Sequence, residues 1–263
     1  MGGPITDPAD FFGREREISF CLARLRGMQS VSITGERRIG KSSLLHHLMA
    51  TARERFGPEY RVAYVDLLSP AARTLPGLLG EILCQLGVKQ TAATLTEFEQ
   101  RLNELHEQAA KPLVALDEWE MFVRLPNEFS REFCEALRSF ASNCRLALLT
   151  ASRITLREMY DRGEMVSPLY NILGTQKLGL FTEKEVREFV TLRRSGVRLG
   201  EEQVAEILRR GGQHPLRLQV LCFHAAQANH EKRNDWPEIW TDAEAEAAGM
   251  LEPGQTETKK EKA

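Results

Sequence analysis

The chain has 263 residues, 42% of them hydrophobic and 27% charged, with a formal net charge of -2 at pH 7. That length suits one α/β domain plus a smaller one. The near-neutral balance does not demand a polyanionic partner, although it leaves room for a local basic patch. No apolar run approaches the roughly 20 residues of a membrane span, so no membrane association is expected. The five cysteines (Cys21, Cys84, Cys134, Cys144, Cys222) are odd in number and lack CxxC spacing. They are predicted to be reduced core thiols of a cytoplasmic protein.

In chain order, residues 14–26 read as a helix with Ile18, Cys21, Leu22 and Leu25 on one side. "SVSIT" (30–34) reads as a buried strand, and a glycine-rich loop and a helix from Lys41 follow. Strands are predicted at 61–68, 112–117, 145–152 and around Leu178, with helices at 76–87, 95–110 and 130–141 between them. Strands alternating with helices predict an α/β fold with a parallel sheet covered on both faces. Beyond about Phe181 four helical segments follow with no strand between them. The shift divides the chain into an α/β domain over 1–180 and a helical domain over 181–250. The polar segment 251–263 reads as a disordered tail.

The loop "GERRIGKSS" satisfies GxxxxGK[ST] through Gly35, Gly40, Lys41 and Ser42, between a predicted strand and a predicted helix. Backbone N–H groups of Gly35, Glu36, Arg37, Arg38, Ile39, Gly40, Lys41, Ser42 and Ser43 suit a phosphate cradle, aided by the helix N-terminus. Lys41 is placed to reach the β- and γ-phosphates and Ser42 to ligate Mg²⁺. "PLVALDEWE" ends an apolar strand in acids. Asp117 is the expected Mg²⁺ ligand and Glu118 the expected general base, with Glu120 read as a solvated acid. "LLTASR" brings Arg153 to a neighbouring strand end, where a cation could distinguish ATP from ADP. No NKxD motif reads guanine, and the DxxG at Asp10–Gly13 lies ahead of the loop.

"FFGREREI", "GERRIGKSSLL", "PLVALDEWE", "LLTASR" and "GGQHPLRLQVLC" occur in the order found in STAND-type NTPases, signal-transduction relatives of the AAA+ ATPases. The chain resembles their bacterial and archaeal members over roughly residues 11–248. The resemblance implies a three-layer P-loop NTPase with sheet order 5-1-4-3-2, a C-terminal helical lid, and ATP or ADP with Mg²⁺ as ligands. It implies that Phe12, Gly13 and Arg14 border the adenine and that His214 and Pro215 form the lid's nucleotide motif. By residue type alone, the segment 212–215 also reads as a helix–turn–helix joint. Family members usually carry a winged-helix domain after the lid, whereas this sequence stops soon after it. A fragment and a minimal member both fit.

Three functions follow as expectations. The first is a slowly hydrolysing ATP switch in signalling or defence whose lid controls a protein effector or sensor partner, with nucleotide-dependent homo-oligomers possible. The second is an AAA+-like ATPase on nucleic acid, through Arg193, Arg194, Arg209 and Arg210; it is less favoured. The third, a non-hydrolysing scaffold, is opposed by Lys41, Asp117 and Glu118. Arg157 and Arg162 read as surface charges, and no arginine finger is assigned.

Overall fold

The computed structural model describes residues 3–164, 168–191 and 199–252. Arg193, Arg194 and the predicted tail from residue 253 lie outside the described residues. Chain contacts form two compact units. One holds residues 4–36 and 41–178; the other runs from Gly179 onward and includes the loop tip Arg37–Gly40.

Among the described residues, the first unit is built on five strands, β1 (Val31–Thr34), β2 (Tyr60–Asp66), β3 (Lys111–Asp117), β4 (Ala147–Ser152) and β5 (Gly174–Lys177). All neighbours are parallel and the order is β2-β3-β4-β1-β5. That is the expected 5-1-4-3-2 read from the opposite edge. β3 is an interior strand, between β2 and β4, and is buried from its second residue to its last, as a strand covered on both faces must be. β5 starts and ends earlier than the run around Leu178 suggests, although the Leu178 N–H still donates to the Thr34 carbonyl at 2.7 Å.

Side-chain alternation sorts the strands into two faces. Ala63, Val65, Val114, Leu116 and Leu148 join one core cluster with helices α3 (Leu75–Gln85), α4 (Leu95–Glu107) and α6 (Arg131–Ser142). The opposite face is covered by α1 (Glu15–Arg26) and α2 (Lys41–Arg55), whose Cys21, Leu25, Leu44, Leu45 and Leu48 are fully buried. Two short helices, α5 (Glu120–Arg124) and α7 (Leu156–Asp161), follow β3 and β4. They are too short to show a periodic pattern in sequence.

The second unit contains α8 (Glu183–Thr191), α9 (Glu201–Gly211), α10 (Pro215–Glu231) and α11 (Trp236–Leu251). Its core is made by Val186, Val190, Ile207, Leu218, Leu221, Ile239 and Trp240. A Cβ on Gly211 would lie 2.6 Å from Leu218 Cδ2, so the close α9–α10 approach requires glycine there. All five cysteines are free thiols, and Cys84 and Cys144 are exposed, contrary to the expectation of core positions for all. Burial pushes the Cys21 and Cys222 thiols up to about 12, which keeps them protonated and unreactive.

Phe133 is buried at 1% exposure between Phe122 and Phe129, with ring centroids 4.9 and 5.0 Å away. Phe133→Ala should lower the unfolding free energy by about 3–5 kcal/mol. A urea titration reads this as an earlier midpoint, and an unmoved midpoint would exclude the cluster from the cooperative core.

Candidate active site

Parallel strands put their C-terminal ends along one edge of the sheet. The register sets Thr34 beside Ser152 and Asp66 beside Asp117. The loops leaving β1, β3 and β4 therefore meet there, as ligand sites do in open parallel sheets.

The first loop runs from β1 directly into α2, which Lys41 opens. Gly40 has φ +103° with no atom within 4 Å of a would-be Cβ, so the need for glycine is conformational and not steric. Glu36, Arg37 and Arg38 are exposed, while Gly35 and Ile39 are buried. Within the second unit, Arg37 donates to the Glu252 carbonyl at 3.1 Å. The Lys41 side chain is 9% exposed, and its Nζ donates to the Gly35 and Glu36 carbonyls, each at 2.9 Å. Burial lowers the Lys41 pKa, while the nearby charges of Glu118, Glu120 and Asp117 oppose that fall. Ser42 and Ser43 lie in the first turn of α2, and Ser43 Oγ accepts from the Ile5 N–H at 3.0 Å.

At the end of β3, Asp117 is 3% exposed. Its Oδ2 accepts from the Tyr64 hydroxyl at 2.9 Å and its Oδ1 from the Glu118 N–H at 2.9 Å. Glu118 has φ 56°, a left-handed conformation that costs a non-glycine residue about 1–2 kcal/mol. It is pinned on the far side, where the Trp119 N–H donates to the Ala151 carbonyl at 3.0 Å. Strain of this kind concentrates at functional sites. Burial first, then the charges of Glu120 and Asp117, raise the Glu118 pKa; Lys41 and Arg153 counteract them. The structure thus brings Lys41, Asp117, Glu118 and Arg153 into mutual electrostatic range.

Glu120 departs from expectation. Its side chain is 14% exposed and pairs with Arg153, whose Nε lies 3.7 Å from Glu120 Oε1. The Arg153 N–H also donates to Oε1, while Glu120 Oε2 is buried without a hydrogen-bond partner. Sequence position put Glu120 in a solvated first turn; the chain leaving β4 covers it instead. Arg157, by contrast, is a surface charge, 72% exposed and 3.7 Å from Asp161.

Three carboxylates face two cations here, and one buried carboxylate oxygen lacks a donor. This donor chemistry fits a hard divalent cation. Among the described residues no three His, Cys, Asp or Glu side chains could hold a metal by themselves. A Mg²⁺ ion at Ser42 and Asp117 would therefore share its coordination with phosphate and water, which is how Mg²⁺ is ordinarily bound.

The N-terminal segment enters α1 through Gly13 (φ 70°) and Arg14 (φ 66°), and Arg14 is buried at 4% exposure. Just before it, the Phe11 ring stacks on His47 of α2 at 4.5 Å, which holds Phe12 and its neighbours close to the helix that the glycine-rich loop opens. His214 and Pro215 belong to the second unit. Pro215 is the first residue of α10 and His214 its N-cap, so the helix–turn–helix reading of this joint holds. Sequence reasoning missed Tyr64, His47 and the pairing role of Glu120. No local motif marks any of them.

A family model described as Novel STAND NTPase 1 matches residues 5–254. No curated protein matches the chain. Among solved structures it is similar to the Walker-type ATPase PABY2304 of Pyrococcus abyssi, with TM-score 0.73 and 19% identity over 95% of this chain and 76% of that one. It is also similar to the Aeropyrum pernix ORC2 protein in ADPNP–ADP complexes, with TM-score 0.66 and 18% identity over 90% of this chain and 70% of that one. Domain III of the Thermotoga maritima replication initiation protein DnaA matches at TM-score 0.58 and 14% identity, over 96% of this chain and all of that one. These identities establish a shared fold. Among the described residues, no helix is long and apolar enough to cross a membrane.

Burial lowers the pKa of His47, and the charge of Arg55 adds to the effect. The unfolded chain then binds more protons than the folded one between the folded pKa and the ordinary value of 6.5, so stability rises with pH in that window. His47→Phe keeps a ring against Phe11 and removes the titration. Its stability should fall less than the wild type's between pH 7 and pH 5. Parallel pH slopes in urea titrations would show that His47 does not contribute.

Proposed function

This chain belongs to the novel STAND NTPase 1 family, and we propose that it is an ATP-dependent switch that hydrolyses ATP slowly and relays its nucleotide state to a protein partner. The observation that carries this reading is the cluster of Lys41, Asp117, Glu118 and Arg153 at the end of the sheet where the glycine-rich loop opens α2. The backbone N–H groups of residues 35–43 take the phosphates at the α2 N-terminus. Lys41 exchanges its two carbonyl partners for β- and γ-phosphate oxygens. Ser42 and Asp117 would hold Mg²⁺, which when bound neutralises charge on the transferred phosphate. Glu118, its pKa already raised, is suited to accept a proton from the attacking water. Arg153 reads the γ-phosphate and leaves Glu120 to do so.

The family resemblance assigns Phe12, Gly13 and Arg14 to the border of the base, and His214 and Pro215 to the nucleotide motif of the helical unit. A nucleotide that binds one conformation of the chain better than another shifts the population toward it by its differential affinity. A protein partner or a second copy of the chain then reads the favoured conformation, in the cytoplasm. The nucleic-acid reading is weaker. Structures similar in fold include Aeropyrum pernix ORC1 in complex with DNA, but here Arg209 and Arg210 are engaged by Glu206 and Glu244.

Glu118→Gln should keep ATP affinity and slow hydrolysis by about 10²- to 10⁴-fold. Wild-type turnover in this variant would move the base role elsewhere, with Glu120 the first candidate. Lys41→Ala should abolish most nucleotide binding in a titration with a fluorescent ATP analogue; undiminished affinity would refute the phosphate-cradle assignment. The double variant His214→Ala, Pro215→Ala should weaken ATP binding more than inorganic triphosphate binding. Equal losses would reduce that motif to a structural turn.

A further inference from the structure

We infer that Tyr64 is a positioning residue for the metal site: its hydroxyl fixes the Asp117 carboxylate in the orientation that metal ligation needs. The inference rests on the reading above that Asp117 and Ser42 hold Mg²⁺. Tyr64 lies on β2, in register with Ala115 of β3, two residues before the Asp66–Asp117 pair. Its side chain points to the face of the sheet that α2 covers. There the phenol donates to Asp117 Oδ2 at 2.9 Å, and the ring meets His46 of α2 with centroids 4.0 Å apart. His46 follows Ser42 by four residues, one turn of α2, so the two share a helix face. A continuous path thus runs from Ser42 through the α2 backbone to His46, across to Tyr64 and on to Asp117. It joins the two proposed protein ligands, which lie on different elements and are 75 residues apart in sequence (117 minus 42).

Lone-pair arithmetic supports this role over simple packing. A carboxylate has about four acceptor sites. The Tyr64 hydroxyl takes one on Oδ2 and the Glu118 N–H takes one on Oδ1. One site on each oxygen remains for a metal or its water, and the carboxylate plane cannot rotate without breaking one of the two bonds. Outer partners of this kind typically change metal affinity by about 10- to 100-fold when removed.

Tyr64→Phe deletes the hydroxyl and keeps the ring, its β2 position and the His46 contact. A fluorescent ADP analogue is titrated in EDTA and then at a series of Mg²⁺ concentrations. In the variant the Mg²⁺ concentration for half-maximal tightening should rise by about tenfold, while affinity in EDTA stays at the wild-type value. An unchanged Mg²⁺ response overturns the role of Tyr64, and so does an equal loss with and without Mg²⁺, which would mark general damage to the site. His46→Ala leaves the hydroxyl in place but removes the ring behind it, and should give a smaller loss with the same Mg²⁺ signature. Wild-type protein that binds the analogue in EDTA but ignores Mg²⁺ would refute the metal-site reading itself. Protein that binds no analogue at all would refute the nucleotide reading beneath it.

Discussion

A buried ammonium governs the C-terminal edge of the sheet in this protein. Lys41 is withdrawn from water at the start of α2, and its charge must be met by oxygen. In this structure the carbonyls of Gly35 and Glu36 meet it, so the loop closes on its own lysine. Phosphate oxygens can replace those carbonyls with stronger, charge-assisted bonds. The loop is therefore folded around its own lysine, with two carbonyl oxygens placed about the ammonium.

The surrounding charges follow from the same burial. Asp117, Glu118 and Glu120 bring negative charge near Lys41, and Arg153 restores part of the balance. Each acid has a different environment. Asp117 is fixed by two donors, Glu118 is held in a strained backbone, and Glu120 is tied to Arg153. Three carboxylates within a short stretch can thus take different roles, because desolvation and neighbours act differently on each.

The second unit is organised by packing and ion pairs. Arg210 links Glu206 of α9 to Glu244 of α11, and Gly211 lets α9 meet α10 closely. The ion pairs and the close helix approach tie α9, α10 and α11 together.

Much of this was legible in the chain itself. The α/β class, the change to helices beyond Phe181, the glycine-rich loop and the acid at the end of β3 rest on local spacing. Periodicity and covalent neighbours record such features directly. The strand order followed from the family resemblance, and the structure reproduces it. The short helices α5 and α7 escaped because one or two turns carry no readable period. The burial of Glu120 escaped because Arg153, which covers it, comes 33 residues later. Tyr64 looked like an ordinary strand residue, for its partner Asp117 lies 53 residues away. Which side chains converge at the sheet edge depends on the register of parallel strands and on the face each residue takes. Both are set by packing between elements distant in sequence, so they were decided only when the sheet assembled.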